Sequence, residues 1–323
     1  MSSSRHQVRR GTEAAFAVPD GTWAGKARGL TRWAAIGEGG PAVHTGFGIC
    51  RLEPGGDVPA RVHAYEECCY VVEGEVVLQV PEGARLLRPG DYALVPVGVP
   101  HSWRNEGAAP ASWADLLAPQ PRSRFDGDTW LVADLPQARA VPVDPRDPRT
   151  RSFGHLGAEN LDPAGQSQDR LALSASMRTA LLVYSGITVK MMIDGDLGAD
   201  LSTMFMVQYE PDGVAGPHDH PFEETYFFLT GRAEGIFDGQ RYVLEPGDIA
   251  FAGVGCVHAF RNLGGEPLRW LETQAPQPPG RHSYRFRRDW EYLEQALGQA
   301  SDQALGQASG QALGQALGQE GSR

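Results

Sequence analysis

The chain alternates between short apolar runs and polar turns along most of its length. VVLQV (76–80), YALVPV (92–97), STMFMVQY (202–209), TYFFL (225–229) and DIAFAGV (248–254) are five to eight residues long and rich in β-branched and aromatic side chains. Gly and Pro, 40 and 24 in number, fall between such runs. Short apolar segments at this spacing predict many strands joined by turns, as in a sandwich or barrel. One stretch breaks the pattern. In SYRFRRDWEYLEQAL (283–297), Phe286, Trp290 and Leu293 fall at i, i+4 and i+7, which predicts a short helix.

The pattern repeats. LEPGGDVPARVHAYEECCYVVEG (52–74) aligns without gaps to YEPDGVAGPHDHPFEETYFFLTG (209–231), an offset of 157. The same offset carries Gly90–Asp91 onto Gly247–Asp248, His101 onto His258, Asn105 onto Asn262 and Trp113 onto Trp270. A constant offset over this length predicts an internal duplication of one all-β domain. The expected division is an N-terminal arm at 1–30, a first barrel at 31–125, a connecting segment at 126–165, a second barrel at 166–290, and a helix with low-complexity tail at 291–323. The connecting segment is rich in Pro, Arg and Asp and is expected to carry little regular structure. The tail repeats QALGQA. Its glycines disfavour helix and its leucines form no stripe, so a largely unstructured repeat is expected over an oligomerising helix.

Of the 323 residues, 41% are apolar, enough for sizeable cores, and no apolar run approaches the roughly 20 residues that span a bilayer. No secretory signal is legible at the start of the chain, so a cytoplasmic protein without membrane contact is expected. Net charge is −11, which argues against nucleic acid as a partner. Four cysteines (Cys50, Cys68, Cys69 and Cys256) form no CxxC pair and suit a reducing compartment.

Five of the nine histidines fall at matching places in the two repeats. In the second, His218 and His220 are two apart and share a face of a strand; Glu224, four further on, shares it if the strand stays regular. His258 lies on a later strand. Three imidazoles and one carboxylate converging in a barrel describe a first-row transition-metal site: Fe(II), Mn(II), Ni(II), Cu(II) or Zn(II). The first repeat keeps His63, Glu67 and His101 but has Arg61 at the first histidine position. A guanidinium there repels a dication and cannot deprotonate. Arg61 swings away, replaces the metal by pairing with Glu67, or receives a substrate carboxylate, so a second metal site or a substrate site is open.

By strand parity, Tyr226 and Phe228 line the second cavity or form plain core. Met204, Met206 and Gln208 are candidates for the same wall. Cys69 faces inward in the first barrel and Cys68 outward. Glu272, the counterpart of Asp115, is either a partner to a ligand histidine or an exposed acid.

These motifs resemble the cupin superfamily. The second repeat matches its HxH, Glu and Gly as His218, His220, Glu224 and Gly231, and its second motif as Gly247, His258 and Asn262. Gly253 stands where the family usually has Pro, which the first repeat keeps as Pro96. The first repeat matches at Gly55, His63, Glu67, Gly74, Gly90, His101 and Asn105. The resemblance implies a bicupin of two tandem jelly-roll barrels with a germin-like metal motif. It further implies a dioxygenase-type site in the C-terminal repeat, with Fe(II) favoured and a small oxygen-rich organic molecule as substrate. Glu224 would be a ligand and a proton acceptor. A non-oxidative isomerase, decarboxylase or aminohydrolase, and a ligand-binding bicupin without catalysis, are the alternatives; a homo-oligomer is compatible with each.

Overall fold

A computed structural model describes residues 4–144, 152–163, 184–195, 198–277 and 285–286. Among these, regular structure consists of strands and four short 3-10 turns. No helix of the described residues is long and apolar enough to cross a membrane. The expected helix at 283–297 and the QALGQA tail lie outside the described residues, apart from the two-residue strand Arg285–Phe286.

The strands form two sheets, each curled into a jelly-roll barrel. One is built from strands between Arg28 and His155, the other from strands between Tyr184 and Phe286. Each barrel is organised around one long bent strand, Gly46–His63 in the first and Thr203–Asp219 in the second. Two segments join sheets in ways the sequence did not disclose. The arm strand His6–Arg9 pairs antiparallel with Ile249–Ala252, so it extends the second barrel. The connecting segment contributes Thr129–Leu131, Val141–Pro142 and Phe153–His155 to the first sheet, and so carries more regular structure than its composition suggested.

Alternation along each strand sorts side chains between two apolar compartments. Phe205, Val207 and Tyr209 fill the interior of the second barrel with Tyr226, Phe228 and Trp270. Their neighbours Met204, Met206, Phe227, Ile249 and Phe251 pack with Trp33, Phe47, Cys68, Leu94 and Leu116 from the first barrel. Both faces of these strands are therefore buried, which is why the sequence shows continuous apolar runs instead of strict alternation. Met204 and Met206 face the seam between the barrels, not the second cavity, because odd positions of this strand point inward.

Polar contacts across the seam follow the duplication. Glu223 accepts from the backbone N–H groups of Val43, His44 and Thr45, at 2.7–2.9 Å. Its counterpart Glu66 accepts from the N–H of Asp200 and Leu201 and from the Ser202 hydroxyl, at 2.6–3.1 Å. Each barrel thus ties down the same loop of the other. Within a barrel the motif residues shape turns. Asn105 and Asn262 bridge loop carbonyls in matching fashion. Gly74 and Gly231 have φ of +73° and +76°, and a Cβ at either would meet backbone 2.2 or 2.7 Å away. Only glycine fits such a turn.

Candidate metal centre

In the second barrel, His218 lies near the end of the long strand and pairs in register with His258. A register shift between Ala215 and His218 bends the strand here, a device that re-aims side chains. The chain then turns at Pro221–Phe222, and Glu224 stands on the next strand, Glu223–Thr230. Glu224 does not continue the strand of His218, as parity along one regular strand requires; it reaches the same cavity from a neighbouring strand. All four residues are buried.

Three imidazole nitrogens, one each from His218, His220 and His258, lie within 4.8 Å of one another. The reason they converge is written in the other ring nitrogen. Nδ1 of His218 donates to the Gly216 carbonyl at 2.8 Å, that of His220 to the Phe222 carbonyl at 2.8 Å and that of His258 to the Cys256 carbonyl at 3.0 Å. A carbonyl offers no proton, so each Nδ1 must carry its own hydrogen, and in the neutral ring each Nε2 presents a lone pair. Glu224 Oε2 lies 2.7 Å from His220 Nε2 and 3.3 Å from His258 Nε2. His258 Nε2 is buried with no hydrogen-bond partner. Lone pairs facing an anionic oxygen, with no proton between them, repel unless a cation sits among them. The donor set therefore fits a divalent first-row metal, and ligand histidines held by backbone carbonyls are the usual means of fixing such a tautomer.

The carboxylate is held as firmly as the rings. Gln274 Nε2 donates to Glu224 Oε1 at 2.7 Å, and the Tyr226 hydroxyl donates to Oε2. Burial alone would push Glu224 up, but positive charge at the His220 and His258 positions outweighs it and holds the carboxyl well below its usual range; a dication among neutral rings would supply the same charge. Burial lowers His218 well below the ordinary imidazole value, as do the neighbouring rings. Burial pushes Glu272 well up, and the Glu224 charge adds to it, so Glu272 stays a carboxylic acid; Trp270 Nε1 donates to it at 2.9 Å. Glu272 is thus buried beside the centre, while Gln274 makes the direct contact. Gln274 had no counterpart in the first repeat, where Leu117 stands, so the internal comparison did not mark it. Phe228 lies farther along its strand and packs on Trp270, 5.5 Å between ring centres, so it is core, not cavity wall.

The first barrel assembles His63, Glu67 and His101. Glu67 Oε2 lies 3.2 Å from His63 Nε2, 3.3 Å from His101 Nε2 and 3.6 Å from Arg61 Nη2. His101 Nδ1 donates to the Val99 carbonyl at 3.0 Å, as in the other barrel. His63 Nδ1 faces the Thr129 hydroxyl at 2.9 Å, which gives its own proton to the Gly127 carbonyl at 2.9 Å and so accepts from the ring. Burial lowers His63 to about 3, so the ring stays neutral. Burial raises Glu67, but His101, His63 and Arg61 together hold it well below its usual range. A cavity of about 370 Å³ opens beside these groups, lined by Trp23, Arg61, His63, Tyr65, Glu67 and Trp113 among others. Cys50, and not Cys69, lines it; Cys69 packs in the barrel core with Val71, Val95 and Trp113. Burial raises the Cys69 thiol well above its ordinary value, which leaves it a small inert core residue.

Two apolar-cored jelly rolls in tandem, one with a complete three-histidine, one-carboxylate centre, define a duplicated metal-binding barrel protein. The Cupin domain family matches residues 48–117 and 205–273, and the chain belongs to the cupin superfamily as a bicupin. It is 26% identical to quercetin 2,3-dioxygenase of Bacillus subtilis over 246 residues, 67% of this chain and 69% of that one. It is 30% identical to dimethylsulfoniopropionate lyase DddQ of Ruegeria pomeroyi over 149 residues, 46% of this chain and 70% of that one. Among solved structures, the formate complex of Lactobacillus farciminis oxalate decarboxylase shares the fold at a TM-score of 0.55 and 17% identity, covering 88% of this chain and 89% of that one.

Proposed function

We propose that the second barrel is the centre of a metal-dependent oxygenase acting on a small oxygen-rich organic molecule. The observation that carries the reading is the set of three Nδ1–H groups pinned on carbonyls, which turns three Nε2 lone pairs toward one point beside Glu224. His218, His220, His258 and Glu224 would hold a divalent metal, Fe(II) first among the candidates. Such an ion supplies Lewis acidity and a redox centre for dioxygen chemistry. The chain's own part is protonic and positional. Glu224 is anionic and accepts a proton from a substrate hydroxyl at Oε2. Gln274 holds Oε1 and so fixes the plane of the carboxylate. The Tyr226 hydroxyl, its ionisation pushed well up by burial and by Glu224, remains a donor to that carboxylate. The aromatic lining of Tyr226, Phe260 and Trp270 keeps bulk water from the centre. The likeness to quercetin 2,3-dioxygenase supports oxidation.

A second reading, a non-oxidative lyase or decarboxylase, is favoured by one feature: Glu272 keeps a proton beside the centre, where an acid could protonate a carbanion. The likeness to a lyase points the same way. Oxygen uptake by the iron-loaded protein separates the two, with quercetin, dimethylsulfoniopropionate and oxalate as first substrates. Oxygenation consumes dioxygen in step with substrate; turnover that continues unchanged without dioxygen overturns it. Metal analysis beside His258→Ala tests the site: metal bound to the second barrel should be lost, and retention of the full wild-type content refutes the assignment.

A further inference from the structure

The first barrel holds a charge where the second holds a ligand. Arg61 pairs in register with His101, as His218 does with His258. Its side chain is 6% exposed, and its Nε and Nη1 are buried with no hydrogen-bond partner. The contact from Nη2 to Glu67, at 3.6 Å, is an ion pair beyond hydrogen-bonding distance. The indole of Trp23 covers the guanidinium, 5.0 Å from ring centre to Cζ. A guanidinium cannot shed its proton, and buried N–H groups without acceptors are rare in native folds, so the site is built for something that supplies them.

The neighbours narrow what that is. Arg32, also on the cavity wall, is already held by both oxygens of Asp115 at 2.6 and 2.7 Å. Glu67 is shared among His63, His101 and Arg61. His63 Nδ1 donates to the Thr129 hydroxyl, whose own proton goes to the Gly127 carbonyl, so its Nε2, like that of His101, turns toward Glu67. A dication at His63, Glu67 and His101 would stand beside a positive charge that nothing can remove. The cavity, about 370 Å³ with Trp23, Tyr65 and Trp113 in its wall, falls in the range of small-molecule sites and exceeds what a water needs. We propose that the first barrel is a metal-independent site for a small organic carboxylate, which accepts from the unpartnered N–H groups of Arg61. Carboxylate oxygens form strong charge-assisted hydrogen bonds with guanidinium N–H groups.

The test is calorimetric titration of benzoate into the full metal-loaded chain, with benzyl alcohol as a ring-matched neutral control. Benzoate should show one saturable site that persists in His258→Ala, where the second barrel's centre is dismantled. Affinity should fall about tenfold or more in Arg61→Met, the loss expected for a charge-assisted hydrogen bond. Benzyl alcohol should bind about tenfold more weakly. Arg61→Gln, which keeps a polar group, serves the same arm with the same expectation if the Met variant does not fold. Absence of saturable binding, affinity unchanged in the Arg61 variant that folds, loss of the site in His258→Ala, or equal affinity for benzyl alcohol each overturns the proposal.

Discussion

The direction in which a histidine points its lone pair is decided by the atom behind it. In the second barrel that atom is a carbonyl oxygen three times over, so each ring keeps a proton on Nδ1 and turns Nε2 into the cavity. In the first barrel the guanidinium of Arg61, standing where the second barrel has an imidazole, leaves the same set one ligand short. A unit positive charge near 4 Å from a dication costs about 8 kcal/mol at an effective dielectric of 20, twice the unit-charge value. Arg61→His is therefore expected to raise bound metal from about one to about two per chain by elemental analysis; an unchanged content would show that charge is not what excludes it. His63 also gives a pH prediction. Burial lowers its folded value to about 3, below the unfolded value near 6.5. Between these the unfolded chain binds a proton that the folded chain does not. Stability is then full above about pH 6.5 and falls by about 1.4 kcal/mol per unit as pH drops through that window. His63→Gln should flatten the decline of urea-unfolding free energy between pH 6.5 and 4.5 by that slope.

At the scale of the element, the strand after His63 and the strand after His220 each carry two adjacent acids with opposite duties. Glu224 and Glu67 face into their barrels, whereas Glu223 and Glu66 face the other barrel and hold its loop through backbone N–H groups. Period-two alternation makes this division unavoidable once either acid is placed. Removing Glu223 leaves three N–H groups at a buried seam without their acceptor. Glu223→Ala should lower stability by about 3 kcal/mol. Glu66→Ala should do nearly the same, since its contacts repeat at the same offset. Chemical denaturation of the two variants checks both; a loss below about 1 kcal/mol in either would mean that water replaces the carboxylate there.

At the scale of the molecule, the two barrels share a continuous apolar seam, and the arm strand His6–Arg9 completes the sheet opposite to the one nearest in sequence. A fragment spanning 152–323 lacks that strand and exposes Phe227, Ile249, Phe251 and Leu271, each worth about 1.5–3 kcal/mol when buried. It is expected to be insoluble or to melt well below the full chain; a soluble fragment with unchanged melting and metal content would show that the barrels are independent. The sequence by itself determined the all-β class, the duplication and which residues, His218, His220, Glu224 and His258, meet in one cavity. These rest on local periodicity and on residue types repeated at one offset, which a chain displays without folding. It could not show that Glu224 arrives from a neighbouring strand, that Gln274 holds it, that Met204 and Met206 turn to the seam, or that Arg61 lies over Trp23 beside a cavity. Each of those depends on strand pairing or on contacts between residues far apart in the chain, and only the folded barrel brings them within reach of one another.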